Sequence, residues 1–144
     1  MGVLLTSAER ASTVTRDTKV FDVVREMSER GVAAALVTHD DRPIGIFTLR
    51  DLMTRVVLRD LDAKTTTVGA VMTPTVLTVS PDTTPAEAKQ TMLDRRVRHL
   101  PVVGADGRIL GVVTMRRLLE EEADVLRSEA TGLANYAAYD DSTG

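Results

Sequence analysis

One segment of this chain occurs twice. Gly45-Ile46-Phe47-Thr48-Leu49-Arg50-Asp51-Leu52 returns as Gly111-Val112-Val113-Thr114-Met115-Arg116-Arg117-Leu118, at an offset of 66 residues (45 to 111). Each copy closes a longer unit, whose other landmarks recur at an offset of 65: Asp17 with Asp82, Met27 with Met92, Val32 with Val97 and Val37 with Val102. A repeat of this length is one supersecondary unit, too small to bury its own apolar face alone, so the copies are expected to pack together about a pseudo-twofold axis. Any pocket between them then exists in two versions, and the residues that differ between copies carry the information. The 144 residues suffice for one such pair sharing a core.

Within the first unit, Val20, Val23, Val24 and Met27 fall at i, i+3, i+4 and i+7, one face of an amphipathic helix, and Gly31 after Arg30 is its stop signal. Ala34 to Thr38 and Ile44 to Thr48 read as buried strands around the polar turn His39-Asp40-Asp41-Arg42, with a helix from about Leu49 to Leu58. The second unit repeats the order. A strand is expected at Thr75 to Val79, and Thr84-Pro85-Ala86-Glu87 is a capping box, with Thr84 accepting from the Glu87 amide and Glu87 reaching back. Val97 to Val103 and Arg108 to Thr114 are strands joined through the turn signal Asp106-Gly107, and a helix runs from Met115 to about Ser128. Val68 to Met72 is expected as a short helix leading into the second unit, and Val3 to Leu5 as its counterpart in the first. Each unit is therefore β-α-β-β-α, an α/β (α+β) architecture. The expected boundaries are 1–60 for the first unit, 61–67 for the linker, 68–128 for the second unit and 129–144 for a tail.

Composition narrows the function classes. Aromatics are 3% of the residues, so the core is built from Val, Leu, Ile, Ala and Met. Cysteine is absent, which excludes disulfides, thiolate nucleophiles and cysteine metal sites. The apolar runs fall well short of the roughly 20 residues that span a bilayer, and Met1 to Arg10 lacks a basic start followed by an apolar run. The expectation is a soluble cytoplasmic protein with no membrane partner. The net charge of −3 repels nucleic acid, so none is expected as a partner, and any anion must be held by local arginines.

Three segments, in order and duplicated, carry a resemblance to a known family: Met72-Thr73-Pro74-Thr75-Val76 entering the second unit, Val97-Arg98-His99-Leu100-Pro101-Val102-Val103 before the turn, and the paired Gly-x-x-Thr segments. From Thr13 to Glu122 the chain resembles a CBS domain pair, or Bateman module. The resemblance implies two tandem units packed through their sheets with helices outside, two clefts between them, and a homodimer of such pairs. It also implies a non-catalytic regulatory module that binds an adenosine-containing ligand of the AMP, ADP or ATP class and signals to a separate effector protein. No cofactor is required; the adenine nucleotide is the regulatory ligand.

The residues supply chemistry for such a ligand. Asp51 is a carboxylate able to accept from both ribose hydroxyls, and Thr48, three residues earlier at a helix start, suits an anion, with Arg50 beside them. The plainer alternative is that Thr48 caps the helix and Asp51 complements its dipole. By the resemblance, Arg98 and His99 face phosphates of the neighbouring cleft, and Ala33 stands in the first copy where Arg98 stands in the second; the alternatives are a solvated helix end for Arg98 and a packing role for His99. In the second copy Arg117 replaces the carboxylate, so the cleft of Thr114, Arg116 and Arg117 is expected to bind nucleoside poorly or to take something more anionic.

Catalytic readings fare badly. His39-Asp40-Asp41 lies in a turn where successive side chains diverge, and the second of the two histidines is distant in sequence, so a solvated turn is expected there. No nucleophile-base pair and no Walker-type loop is present. The competing functional reading is a homodimerisation module with vestigial clefts.

Overall fold

The computed structural model describes residues 4–143 with the exception of residue 75. Helix α1 (Leu4–Ser7) and strand β1 (Thr13–Val14) precede α2 (Val20–Arg30), which buries Val20, Val23 and Met27 on the face that the spacing predicts. Helix α2 ends where Gly31 takes a left-handed conformation (φ 65°) and its N–H turns back to the carbonyls of Met27 and Ser28. Strands β2 (Ala34–His39) and β3 (Arg42–Thr48) form a hairpin whose two turn residues, Asp40 (φ 52°) and Asp41 (φ 62°), both adopt the left-handed backbone that matches strand twist. β1 pairs parallel with β2, giving a three-stranded sheet in the order β1-β2-β3. Helix α3 (Leu49–Asp51) follows and widens into a π-helical turn over Leu52–Val57.

The second unit comprises α4 (Val68–Val71), α5 (Pro85–Arg95), β4 (His99–Val103), β5 (Ile109–Thr114) and α6 (Met115–Thr143). Helix α6 runs past the expected end near Ser128. The strand expected from Thr75 to Val79 is reduced to a single parallel bridge between Val79 and Val102, Thr75 itself lying outside the described residues. The cause is Pro101. In the first unit the amide of Leu36 donates to Ser12 at 2.8 Å, and Pro101, which stands at the position of Leu36, has no N–H to extend the ladder. A second correction concerns the capping box. Thr84 accepts from the Glu87 amide at 3.1 Å, but Glu87 does not reach back, and the reciprocal pair forms at Thr48 and Asp51 instead.

The cores show why the units cannot separate cleanly. Leu4, fully buried, belongs to the core of the second unit with Ala88, Met92, Leu100, Val102, Val113 and Leu118. Conversely, Val68, Val71 and Met72 complete the core of the first unit around Val20, Val23, Val37 and Phe47. Each unit is finished by the segment that leads into the other. Backbone bonds seal both crossings: Glu9 and Val112 exchange bonds of 2.8 and 2.9 Å, and Thr73 and Ile46 do the same at 2.8 and 2.9 Å.

The repeated glycines mark these crossings. A Cβ on Gly111 would stand 2.9 Å from the Glu9 carbonyl oxygen and 3.0 Å from the Ala8 Cβ, whereas one on Gly45 would meet only the Met72 side chain. Backbone cannot yield as a thioether can. Gly111→Ala is therefore expected to lower stability by about 2 kcal/mol, in the range of overpacking, and Gly45→Ala by less. Urea denaturation of both variants reads the order, and a reversed order would remove the close crossing as the reason for these glycines.

Candidate functional site

An open cleft of about 1410 Å³ runs between the two units. Residues that correspond in the repeat line it from both units: Ala33 and Arg98, Ala34 and His99, Arg50 and Arg116. The lead-in residues Glu9 to Ser12 and residues of helix α6 also line it.

The wall is strongly cationic for a chain of net charge −3. Four of its cations are committed to carboxylates: Arg30 to Glu26 at 3.7 Å, Lys89 to Glu122 at 2.9 Å, Arg116 to Glu120 at 2.9 Å and Arg127 to Asp124 at 2.7 Å. Arg10, Arg50, Arg96 and Arg98 line the same cleft, are all exposed, and have no carboxylate partner among the described residues. Four unneutralised guanidiniums in one concavity raise the local positive potential and attract anions. Arg96 also holds a left-handed backbone (φ 56°) at the position where the first unit has Gly31 (φ 65°). A non-glycine residue there costs on the order of 1 kcal/mol, a strain of the kind found at ligand sites. His99, half-buried beside Arg98, has its pKa lowered, first by burial and then by the Arg98 charge. It is uncharged at neutral pH and offers one donor and one acceptor to the cleft.

Thr48 and Asp51 stand elsewhere. Asp51 is buried, 6% exposed, and its carboxylate oxygens are occupied. Oδ2 accepts from the Thr48 amide at 2.9 Å and from Thr48 Oγ1 at 3.2 Å, while Oδ1 accepts from Thr73 Oγ1 at 3.1 Å and lies 3.5 Å from Arg55 Nε. Thr48 Oγ1 in turn accepts from the Asp51 amide at 3.3 Å. The capping alternative is thus realised in this conformation, with the carboxylate fastened to the lead-in of the second unit.

The structure therefore gathers Ala33, Arg50, Arg98, His99, Thr114 and Arg116 on the cleft, and leaves Thr48, Asp51 and Arg117 off its wall. Thr114 caps α6 by accepting from the Arg117 amide at 3.1 Å, and Arg117 Nε is held 3.1 Å from Glu121 Oε1. Arg10 and Arg96 also line the cleft, and the sequence reading singled out neither as a cleft residue. The exchange of Gly31 for Arg96 between copies was the available signal for Arg96; for Arg10 no local signal exists. His39 is solvated, 3.5 Å from Asp40, and no group of metal-ligating side chains occurs among the described residues. No described helix is long and apolar enough to cross a membrane.

Comparison with known proteins places the fold. The CBS domain family model matches residues 8–58 and 68–124. An uncharacterised protein of Methanopyrus kandleri is 33% identical over 102 residues, covering 70% of this chain and 52% of the relative, so the chain spans about half that relative's length. A protein of Burkholderia ambifaria described as a signal-transduction protein with CBS domains has a similar structure, with a TM-score of 0.73 at 32% identity over 81% of this chain and 84% of that one. CBSX2, solved in complex with AMP, gives a TM-score of 0.73 at 26% identity over 87% of this chain and 98% of its own. Two family matches in tandem, one on each repeat, cover most of the sequence: the chain belongs to the CBS-domain family.

Proposed function

We propose that this chain is a regulatory, non-catalytic module that binds an adenosine nucleotide between its two units and reports the occupancy to a separate partner. The observation that carries the reading is the set of four arginines without a carboxylate partner among the described residues, Arg10, Arg50, Arg96 and Arg98, drawn from both units into one cleft of an acidic protein. The AMP complex of CBSX2, 26% identical to this chain, supports a nucleotide as the anion. Phosphate oxygens pair with Arg50 and Arg98, which line the cleft from the two units, by charge-assisted bonds. Because Arg50 and Arg98 belong to different units, a ligand holding both fixes the relation of one unit to the other, which is the change a partner can sense.

A second feature favours self-association. Leu49, Met53 and Val57 are 50%, 57% and 64% exposed at i, i+4 and i+8 on the helix after β3. Such a stripe fits the homodimer that the family resemblance implies.

Two measurements follow. AMP at about 100 times its Kd should stabilise the fold by about 2.7 kcal/mol, read as a raised thermal midpoint. Arg98→Gln should weaken AMP binding about tenfold or more while leaving the ligand-free midpoint unchanged; no shift with AMP, ADP or ATP removes the nucleotide reading. For the stripe, Met53→Glu should convert a dimer to a monomer in sedimentation, and an unchanged sedimentation coefficient removes that surface as the interface.

A further inference from the structure

The start of α2 and the chain that joins the two units enclose a second concavity of about 370 Å³, lined by Lys19, Phe21, Asp22, Arg25 and Lys64. None of these residues lines the cleft between the units. Of the two phenylalanines in the chain, Phe47 is wholly buried and Phe21 is 39% exposed. The Arg25 guanidinium stands 4.9 Å and the Lys64 ammonium 5.2 Å from the centroid of the Phe21 ring, both within cation–π range. The two charges are therefore no more than about 10 Å apart, about one Debye length at 0.1 M salt, and they repel each other with little screening. Neither they nor Lys19 has a carboxylate partner among the described residues, and Asp22 is the one carboxylate lining the concavity. An anion seated there relieves the repulsion.

Backbone bonds hold this seat together. The amides of Val20 and Phe21 donate to the carbonyls of Thr66 and Ala63 at 2.9 and 3.0 Å, and the Val68 amide donates to Thr18 at 2.8 Å. Lys19 Nζ donates to the Thr65 carbonyl at 3.3 Å. The chain carrying Lys64 is thus fastened to the first turn of α2, and the Phe21 ring keeps both cations in place before any ligand arrives, which lowers the entropic cost of binding.

We propose that this concavity docks an acidic segment of the partner protein, whose carboxylates pair with Arg25 and Lys64 while a neighbouring apolar side chain covers Phe21. The inference takes up the partner in the reading proposed above and does not depend on the nucleotide. Carboxylates suit the site better than phosphates, because Asp22 opposes a dianion more strongly than a monoanion and the net charge of −3 repels an extended polyanion. The acidic run of this chain, Glu120-Glu121-Glu122, is already paired with Arg116, Arg117 and Lys89 at 2.9, 3.1 and 2.9 Å, so the occupant is a different protein and not a second copy. Lys64 lies on the chain that joins the units, and a partner seated here touches the joint between them.

Fluorescence anisotropy of a labelled hexaglutamate peptide with the full chain tests this at about 50 mM salt, where exposed charges are weakly screened. The peptide should bind, and the double variant Arg25→Gln, Lys64→Gln should weaken it about tenfold or more. The variant Arg95→Gln, Arg98→Gln removes the same charge elsewhere and should leave the affinity within about twofold. Circular dichroism checks that these substitutions of exposed residues leave the fold intact. No binding by the wild type, or an equal loss in both double variants, overturns the proposal. Stronger competition by hexathymidylate than by unlabelled hexaglutamate assigns the site to nucleic acid and also overturns it, as does a wild-type dimer that Arg25→Gln, Lys64→Gln converts to a monomer. The rise in thermal midpoint with AMP should survive Arg25→Gln, Lys64→Gln; its absence from a wild type that binds the peptide removes the nucleotide reading and leaves this one standing.

Discussion

The reciprocal crossing of the two lead-ins is the constraint on which everything else depends. Leu4 fills the second core and Val68, Val71 and Met72 fill the first, so each unit is completed by chain that belongs to the other. Burial of a leucine or methionine side chain is worth about 2 kcal/mol or more, and paired backbone bonds add to it at Glu9–Val112 and Ile46–Thr73. The crossings join the two units beside the cleft that both of them line. They also bring Arg10 and Ser12 to the rim of that cleft, far from Arg96 and Arg98 in sequence.

A good deal of this was legible from residues alone, for identifiable reasons. The face of α2, the Gly31 stop and the turn at Asp40-Asp41 are local matters of periodicity and backbone conformation, and they stand as the spacing predicts. The doubled Gly-x-x-Thr segment announced the architecture, because a repeat is visible without any knowledge of contacts. Long-range closure was not legible. Nothing in Met1 to Arg10 says that Leu4 packs near Leu100, about a hundred residues away, and nothing local tells that Arg10 and Arg98 share a cleft. The loss of a strand before α5 had a visible cause in Pro101, whose consequence emerges only once the strand expected to pair with it is known.

The comparison of copies proved more informative than either copy alone. Read singly, Asp51 is a helix cap and Arg117 a lost carboxylate. Read as a pair, they set carboxylate and guanidinium in opposite order, Asp51 with Arg55 and Arg117 with Glu121, and each carboxylate accepts from a lead-in hydroxyl, Thr73 or Ser7. Similarly, Arg96 in a left-handed conformation is unremarked until Gly31 shows what the position prefers. Each difference falls where a lead-in is fastened or on the cleft.

The interlock is tested most directly by native-state hydrogen exchange on the wild type and on Leu4→Ala. Truncating Leu4 should cost about 2–5 kcal/mol, as fully buried leucines do. If each unit is completed by the other, the slowest amides of β2 in the first unit and of β4 in the second open with one free energy, and Leu4→Ala lowers both by the same amount. A loss confined to β4, with the protection of β2 unchanged, would show that the units open independently and would contradict the account.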